Sequence, residues 1–265
     1  MAVLLGYMYT PALAAVAVCR VQGRPLLSTL GLRLGRWPWL LVALLLPLPL
    51  FALMIALGAL LPGVHLDWTL APLFELLGEV LPAEQVEAIR EEVAGLPIHP
   101  VWLGMLAIPV AGATLNALAA FGEEAGWRGL LYEALRPLGF WTHSLVVGLL
   151  WGIWHAPVVL QGYNFPEAPV AGAVVMTGAT VAFSPLFTFL RARSRSVLSA
   201  AFLHGAFNAG GQLPMMVLVG GGLVVHPLGG IGILALGLAN LVLLGLWLRD
   251  PEWVYPDPGG LTRQR

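Results

Sequence analysis

The sequence predicts an all-α protein, a polytopic bundle of about seven transmembrane helices with one short amphipathic helix outside the membrane. Three observations predict it. The 265 residues are 58% hydrophobic and only 10% charged, where a soluble domain carries about 25% charged residues; the mean hydropathy is +0.84. The apolar residues gather into segments of about 20, the length that crosses a ~30 Å hydrocarbon core as a helix. The charged residues fall between these segments, with one exception.

The first segment runs near residues 2–18. Small residues at Ala12 and Ala14 give it some likeness to a signal peptide. No basic stretch precedes the apolar run, however, and the arginines follow it, so it counts as a span. Arg20, Arg24, Arg33 and Arg36 form a basic linker to a second segment, residues 37–61, which Pro47 and Pro49 should kink. Residues 62–100 change character, with Asp67, Glu75, Glu79, Glu84, Glu87, Glu91 and Glu92 against Arg90 alone. Here Pro82 and Gly95 bracket a short helix whose carboxylates form a solvated face.

The third segment starts near Val101 and meets no stop before Arg136-Pro137-Leu138-Gly139. A straight helix of that length would reach about 54 Å, too long for one bilayer core, so a bend is expected near Pro109 or Gly112. The fourth segment covers 140–160 and the fifth 169–190, followed by a basic loop with Arg191, Arg193 and Arg195. The sixth covers 197–218 and the seventh 229–248, and Arg249, Arg263 and Arg265 lie in the tail. There is no second soluble domain and no internal repeat, so 1–265 reads as a single transmembrane domain.

Every basic residue is arginine. With the amino terminus outside, eleven arginines flank the spans on the inner side and Arg90 alone lies outside, Arg128 being set apart as intramembrane. The positive-inside rule then puts the carboxyl terminus in the cytoplasm. A net charge of −1 gives no sign of a nucleic-acid partner. Cys19 is the only cysteine, which excludes an intrachain disulfide and a CxxC metal site.

The exception is Phe121-Gly122-Glu123-Glu124-Ala125-Gly126-Trp127-Arg128. Ionised groups at membrane depth cost about 2.5–3.5 kcal/mol each on insertion scales and are usually functional. On a helix Glu124 and Arg128 stand i,i+4 and can pair, while Glu123 points about 100° away with no partner on its own helix. A buried pair that only fixes packing would explain Glu124 and Arg128 but leaves Glu123 over. The turn at 136–139 folds the next span back antiparallel. Trp151 and His155, again i,i+4, then reach the depth of Glu124, roughly 20 Å from the inner end by rise per residue. His204 and Asn208 share a face of the sixth span, with Gly205, Gly210 and Gly211 allowing close helix approach. Two carboxylates, one arginine, two histidines and one asparagine on three spans are the makings of a hydrolytic site: a base, a polarising donor and an oriented water.

Other polar residues rank lower. His65, His99 and His226 fall at outer ends, His143 falls near the inner turn, and Asn240 suits packing in the last span. Asn116 is a weaker candidate for the same cavity. Trp127, Trp151 and Trp154 are candidates for its walls.

Glu-Glu-x-x-x-Arg at 123–128, aromatic-x-x-x-His at 151–155 and His-x-x-x-Asn at 204–208, in this order on membrane spans, resemble the CPBP family. These are the CAAX-protease and bacteriocin-processing (Abi-type) intramembrane proteases. The motifs run from Phe121 to Asn208, about a third of the chain, and suggest a catalytic core near 101–216. One departure is Trp151, where the family usually has phenylalanine; the exchange should alter cavity shape more than chemistry. The resemblance implies that Glu123 activates a water with the help of His155. It implies that Glu124 and Arg128 hold the geometry, and that His204 and Asn208 stabilise the oxyanion.

Metal use stays open. Glu123, His155 and His204 could form a three-ligand zinc site, whereas a histidine partnered by asparagine suits an oxyanion donor in a metal-free site. The function so implied is an intramembrane endopeptidase working near the cytoplasmic face. Its partners are the lipid bilayer and a peptide or protein substrate, which a membrane anchor would present. The same residues on the same fold would also suit a non-catalytic scaffold or bacteriocin-immunity protein, or a proton conductor using the buried carboxylates. A short chain with arginine and no lysine suggests a prokaryotic plasma membrane.

Overall fold

A computed structural model describes residues 6–256. The beginning of the expected first span, and Arg263 and Arg265 of the tail, lie outside the described residues. The chain is a helical membrane bundle. Its elements include α1 (Thr10–Val21), α2 (Pro38–Leu45), α3 (Pro47–Ala59), α4 (Ala83–Ala94), α5 (Pro100–Ala113) and α6 (Leu115–Glu124). After α6 come a π-helical stretch, Ala125–Leu130, and a last helical turn, Leu131–Leu135. They are followed by α7 (Phe140–Val159), α8 (Pro169–Ser194), α9 (Leu198–Gly210), α10 (Leu213–Val217) and α11 (Gly230–Arg249).

Four helices among the described residues are long and apolar enough to cross a membrane: α2 with α3, α7, α8 and α11. A fifth is added if α5 and the helix from Leu115 to Leu138 count as one bent span. The expected seven are not all matched. At about 1.5 Å per residue, the 13 residues of α9 fall short of a ~30 Å core. In α9 the shortfall follows from Gly210 and Gly211, after which the chain turns into α10 and a two-residue strand, Leu218–Val219, paired antiparallel with His65–Leu66.

The third segment bends by 54° as expected, at Thr114 (φ −118°, ψ −113°), just past Gly112. Pro109 stays inside α5. Gly112 is used for packing: a Cβ there would stand 2.6 Å from Ala206 of α9. The second segment is divided at Leu46, just before Pro47, and Pro49 lies in the first turn of α3. The acidic helix α4 begins after Pro82, stops at Gly95 and buries only Val86.

The two ends of the bundle differ. At one end Arg33 donates to the Arg195 carbonyl at 2.7 Å. The Arg36 backbone N–H donates to the Ser194 carbonyl at 2.8 Å, and Arg193 donates to the Trp253 carbonyl at 2.7 Å. The opposite end carries the strand pair, His99 donating to the Trp68 carbonyl at 2.8 Å, and the loops 160–168 and 220–229. The histidines expected at outer ends lie here. The apolar core between the ends includes Phe51, Met54, Phe183, Phe187, Leu203 and Phe207. Asn240 donates to the Ala182 carbonyl at 2.7 Å, tying α11 to α8.

Candidate active site

The charged stretch sits where the helix changes pitch. Glu123 and Glu124 end α6, and Arg128 lies within the π-helical stretch. A π-turn widens the ladder and leaves carbonyls to be satisfied elsewhere; the Arg128 carbonyl accepts from Arg191 Nε of α8 at 2.9 Å. Close approach makes room for the stretch. A Cβ on Gly122 would stand 2.6 Å from the Tyr9 ring, and one on Gly126 would meet Pro11 of α1.

Glu124 and Arg128 are each 0% exposed. Arg128 Nη1 lies 3.1 and 3.3 Å from the two Glu124 carboxylate oxygens, and Nη2 donates to Ser184 of α8 at 3.3 Å. The guanidinium also stands over the rings of Trp151 and Phe187, 4.5 and 4.2 Å from their centroids. Glu124 accepts a further bond, from His204 Nδ1 at 2.9 Å. A carboxylate ionised against arginine can only accept, so this nitrogen carries a proton and Nε2 is the free position. The pair expected from i,i+4 spacing is therefore the middle of a chain that reaches α9.

Glu123 is 2% exposed. Its partner is Trp151, whose indole N–H donates to Oε2 at 2.7 Å across the α6–α7 hairpin. His155 Nδ1 lies 2.9 Å from the Trp151 carbonyl. A carbonyl only accepts, so Nδ1 bears the proton and Nε2 keeps its lone pair. The Trp151 ring stands edge-on to both imidazoles, 5.7 Å from His155 and 5.4 Å from His204. Two carboxylates against one guanidinium leave one buried negative charge, which a proton on His204 or Glu123 would balance.

Glu123, Trp151, His155, His204 and Asn208 line one cavity. Glu124 and Arg128 stand behind it. Asn116 does not line it and instead donates to the Gly205 carbonyl at 3.3 Å. Trp154 shares the wall, while Trp127 lies in a neighbouring apolar groove. Sequence reasoning missed Ser184, an isolated hydroxyl in α8. It also missed Tyr7, which lines the cavity, stacks on Trp154 at 4.3 Å and donates to the Trp154 carbonyl. No local pattern marks either residue. Tyr163 and Asn164, from the loop after α7, and Leu228, from the loop before α11, also line the cavity. Tyr163 is 43% exposed and comes, like Asn164 and Leu228, from the end of the bundle away from the arginines.

Among the described residues no group of three or more His, Cys, Asp and Glu side chains is arranged to hold a metal ion. Glu123, His155 and His204, considered as zinc ligands, are not among such a group; Glu123 Oε2 accepts from Trp151 and His204 Nδ1 donates to Glu124.

Paired buried carboxylates, a buried histidine and a half-buried one meet within a helical membrane bundle. Residues 102–210 match the family model Type II CAAX prenyl endopeptidase Rce1-like. This segment is less than half the chain, but it contains every residue of the polar network described above. The match over these residues supports the CPBP/CAAX intramembrane protease family, a family of peptide hydrolases. Neither the curated proteins nor the solved structures include a match to the chain.

Proposed function

We propose that the chain is an active intramembrane endopeptidase and that 1–265 is one domain with its catalytic core near 101–216. The observation that carries the reading is the meeting of Glu123, His155, His204 and Asn208, from three helices, on one cavity. A water held between Glu123 and His155 Nε2 loses a proton to Glu123 as its oxygen bonds to the scissile carbonyl carbon. His204 and Asn208 donate to the resulting oxyanion. That role for His204 needs a proton on Nε2 as well as on Nδ1, and Glu124 is placed to support the imidazolium. The proton then passes from Glu123 to the leaving amine as the C–N bond breaks. Glu124 and Arg128 hold the frame and do not touch substrate.

The arginines favour an orientation with their end inside and the amino terminus outside. The cavity mouth then faces the non-cytoplasmic side, and a membrane-anchored or extracytoplasmic peptide reaches it from there. The test is cleavage of a quenched fluorescent peptide library by the protein in liposomes. The parent should cleave, and Glu123→Gln and His155→Ala should not; cleavage by both variants at the parent's rate sinks the proposal. A chelator arm in the same assay reports any metal requirement.

A further inference from the structure

The indole N–H at position 151 makes a bond that a phenylalanine there could not make. Glu123 and Trp151 are 2% and 4% exposed, so water does not compete for the 2.7 Å contact to Oε2. A hydrogen bond to an ionised group is about twice as strong as one between neutral groups. No other hydrogen bond is given to Glu123 among the described residues. The ring itself is wedged by Arg128, His204 and Phe187, the last at 5.3 Å, so the donor is fixed before any substrate arrives.

We propose that Trp151 is a positioning residue. Its indole N–H holds one oxygen of the Glu123 carboxylate and so sets the direction in which the other meets the attacking water. The exchange of one aromatic for another thus changes the chemistry of the base as well as the shape of the cavity. The proposal rests on the reading of Glu123 as the base. The titratable and charged groups facing that carboxylate are Glu124 and Arg128 from its own strand of helix, His155 from α7, His204 from α9, Tyr7 ahead of α1 and Tyr163 from the loop after α7.

The test compares Trp151→Phe with the parent on the library peptide that the parent cleaves best. Loss of one charge-assisted bond predicts a kcat lower by roughly tenfold to a hundredfold. KM should stay within about twofold, as for an interaction spent on orientation rather than binding. The acid limb of the pH–rate profile should be displaced from the parent's. Trp141→Phe, which removes an indole outside the cavity, should leave all three unchanged. If Trp151→Phe unfolds, benzothienylalanine at 151 removes the N–H and keeps the shape. An equal kcat with a superimposable profile, or a loss confined to KM, overturns the proposal while leaving the base reading intact. Should Glu123→Gln cleave like the parent, the base reading and the proposal fall together. A readout without turnover is the indole resonance of 15N-tryptophan protein in micelles: the Trp151 signal should move on Glu123→Gln, and a fixed signal rejects the bond.

Discussion

Arg128 offers the sharpest test of how the buried charges are held. Arg128→Met keeps the length and apolar stem of the side chain but removes two contacts to Glu124 at 3.1 and 3.3 Å, one to Ser184 at 3.3 Å, and the cation over two rings. The larger effect is on what remains. Glu124, 0% exposed, is left with His204 as its remaining hydrogen-bond donor. Breaking a buried ion pair from one side costs about 3–5 kcal/mol, because the other charge stays buried without compensation. Removing both charges is far cheaper, and replacing a buried pair with well-packed apolar groups is often neutral. Unfolding in mixed micelles by titration with dodecyl sulfate should therefore show Arg128→Met less stable by about 3–5 kcal/mol. Glu124→Gln should be destabilised comparably, and the double variant should be less destabilised than the sum by about 2 kcal/mol or more. Two outcomes would refute the reasoning: a single variant within about 0.5 kcal/mol of the parent, or a double variant equal to the sum of the singles.

Three further outcomes follow from the geometry. Gly205→Ala would place a Cβ 2.6 Å from the Ala117 nitrogen and 2.8 Å from the Gly112 carbonyl. Both are backbone atoms, so the variant should lose roughly 1–3 kcal/mol in the same unfolding assay, whereas unchanged stability would mean that α9 moves freely against α6. His226, in the loop before α11, is pushed down to about 4 by burial beside the Phe165 ring at 4.5 Å. The unfolded chain takes up this proton near pH 6.5 and the folded loop does not. Thermal stability should therefore fall as the pH drops from about 6.5 to 4, and His226→Gln should flatten that slope; an equal slope in both proteins removes His226 as its source. In a Cys19→Ala background, a membrane-impermeant maleimide applied to intact cells should label Glu167→Cys, on the loop beside the cavity mouth, and not Arg36→Cys. The reverse pattern would invert the orientation.

Much of this was legible because it depends on helical period and length. The spacing of Glu124 and Arg128 predicts their pairing, and the pair forms although the stretch is π-helical, with Arg128 held further by Ser184 and Arg191. The turn at 136–139 predicts the register that sets Glu123 opposite Trp151 and His155, because both depths count from one corner. What failed depends on rotation and on contacts between distant segments. Which aromatic would donate to Glu123 turns on how α7 is rotated about its own axis, which neighbouring helices decide. Tyr7 reaches the cavity only because α1 lies against the π-helical stretch, a contact that no hydropathy pattern contains.

The central claim is that Glu123 serves as the base for cleavage. The most direct measurement is the product spectrum by mass spectrometry after parent and Glu123→Gln proteins, each in liposomes, act on the same peptide library. New termini should appear with the parent and none with the variant, at equal thermal stability. New termini from the variant at the same positions and rates would contradict it.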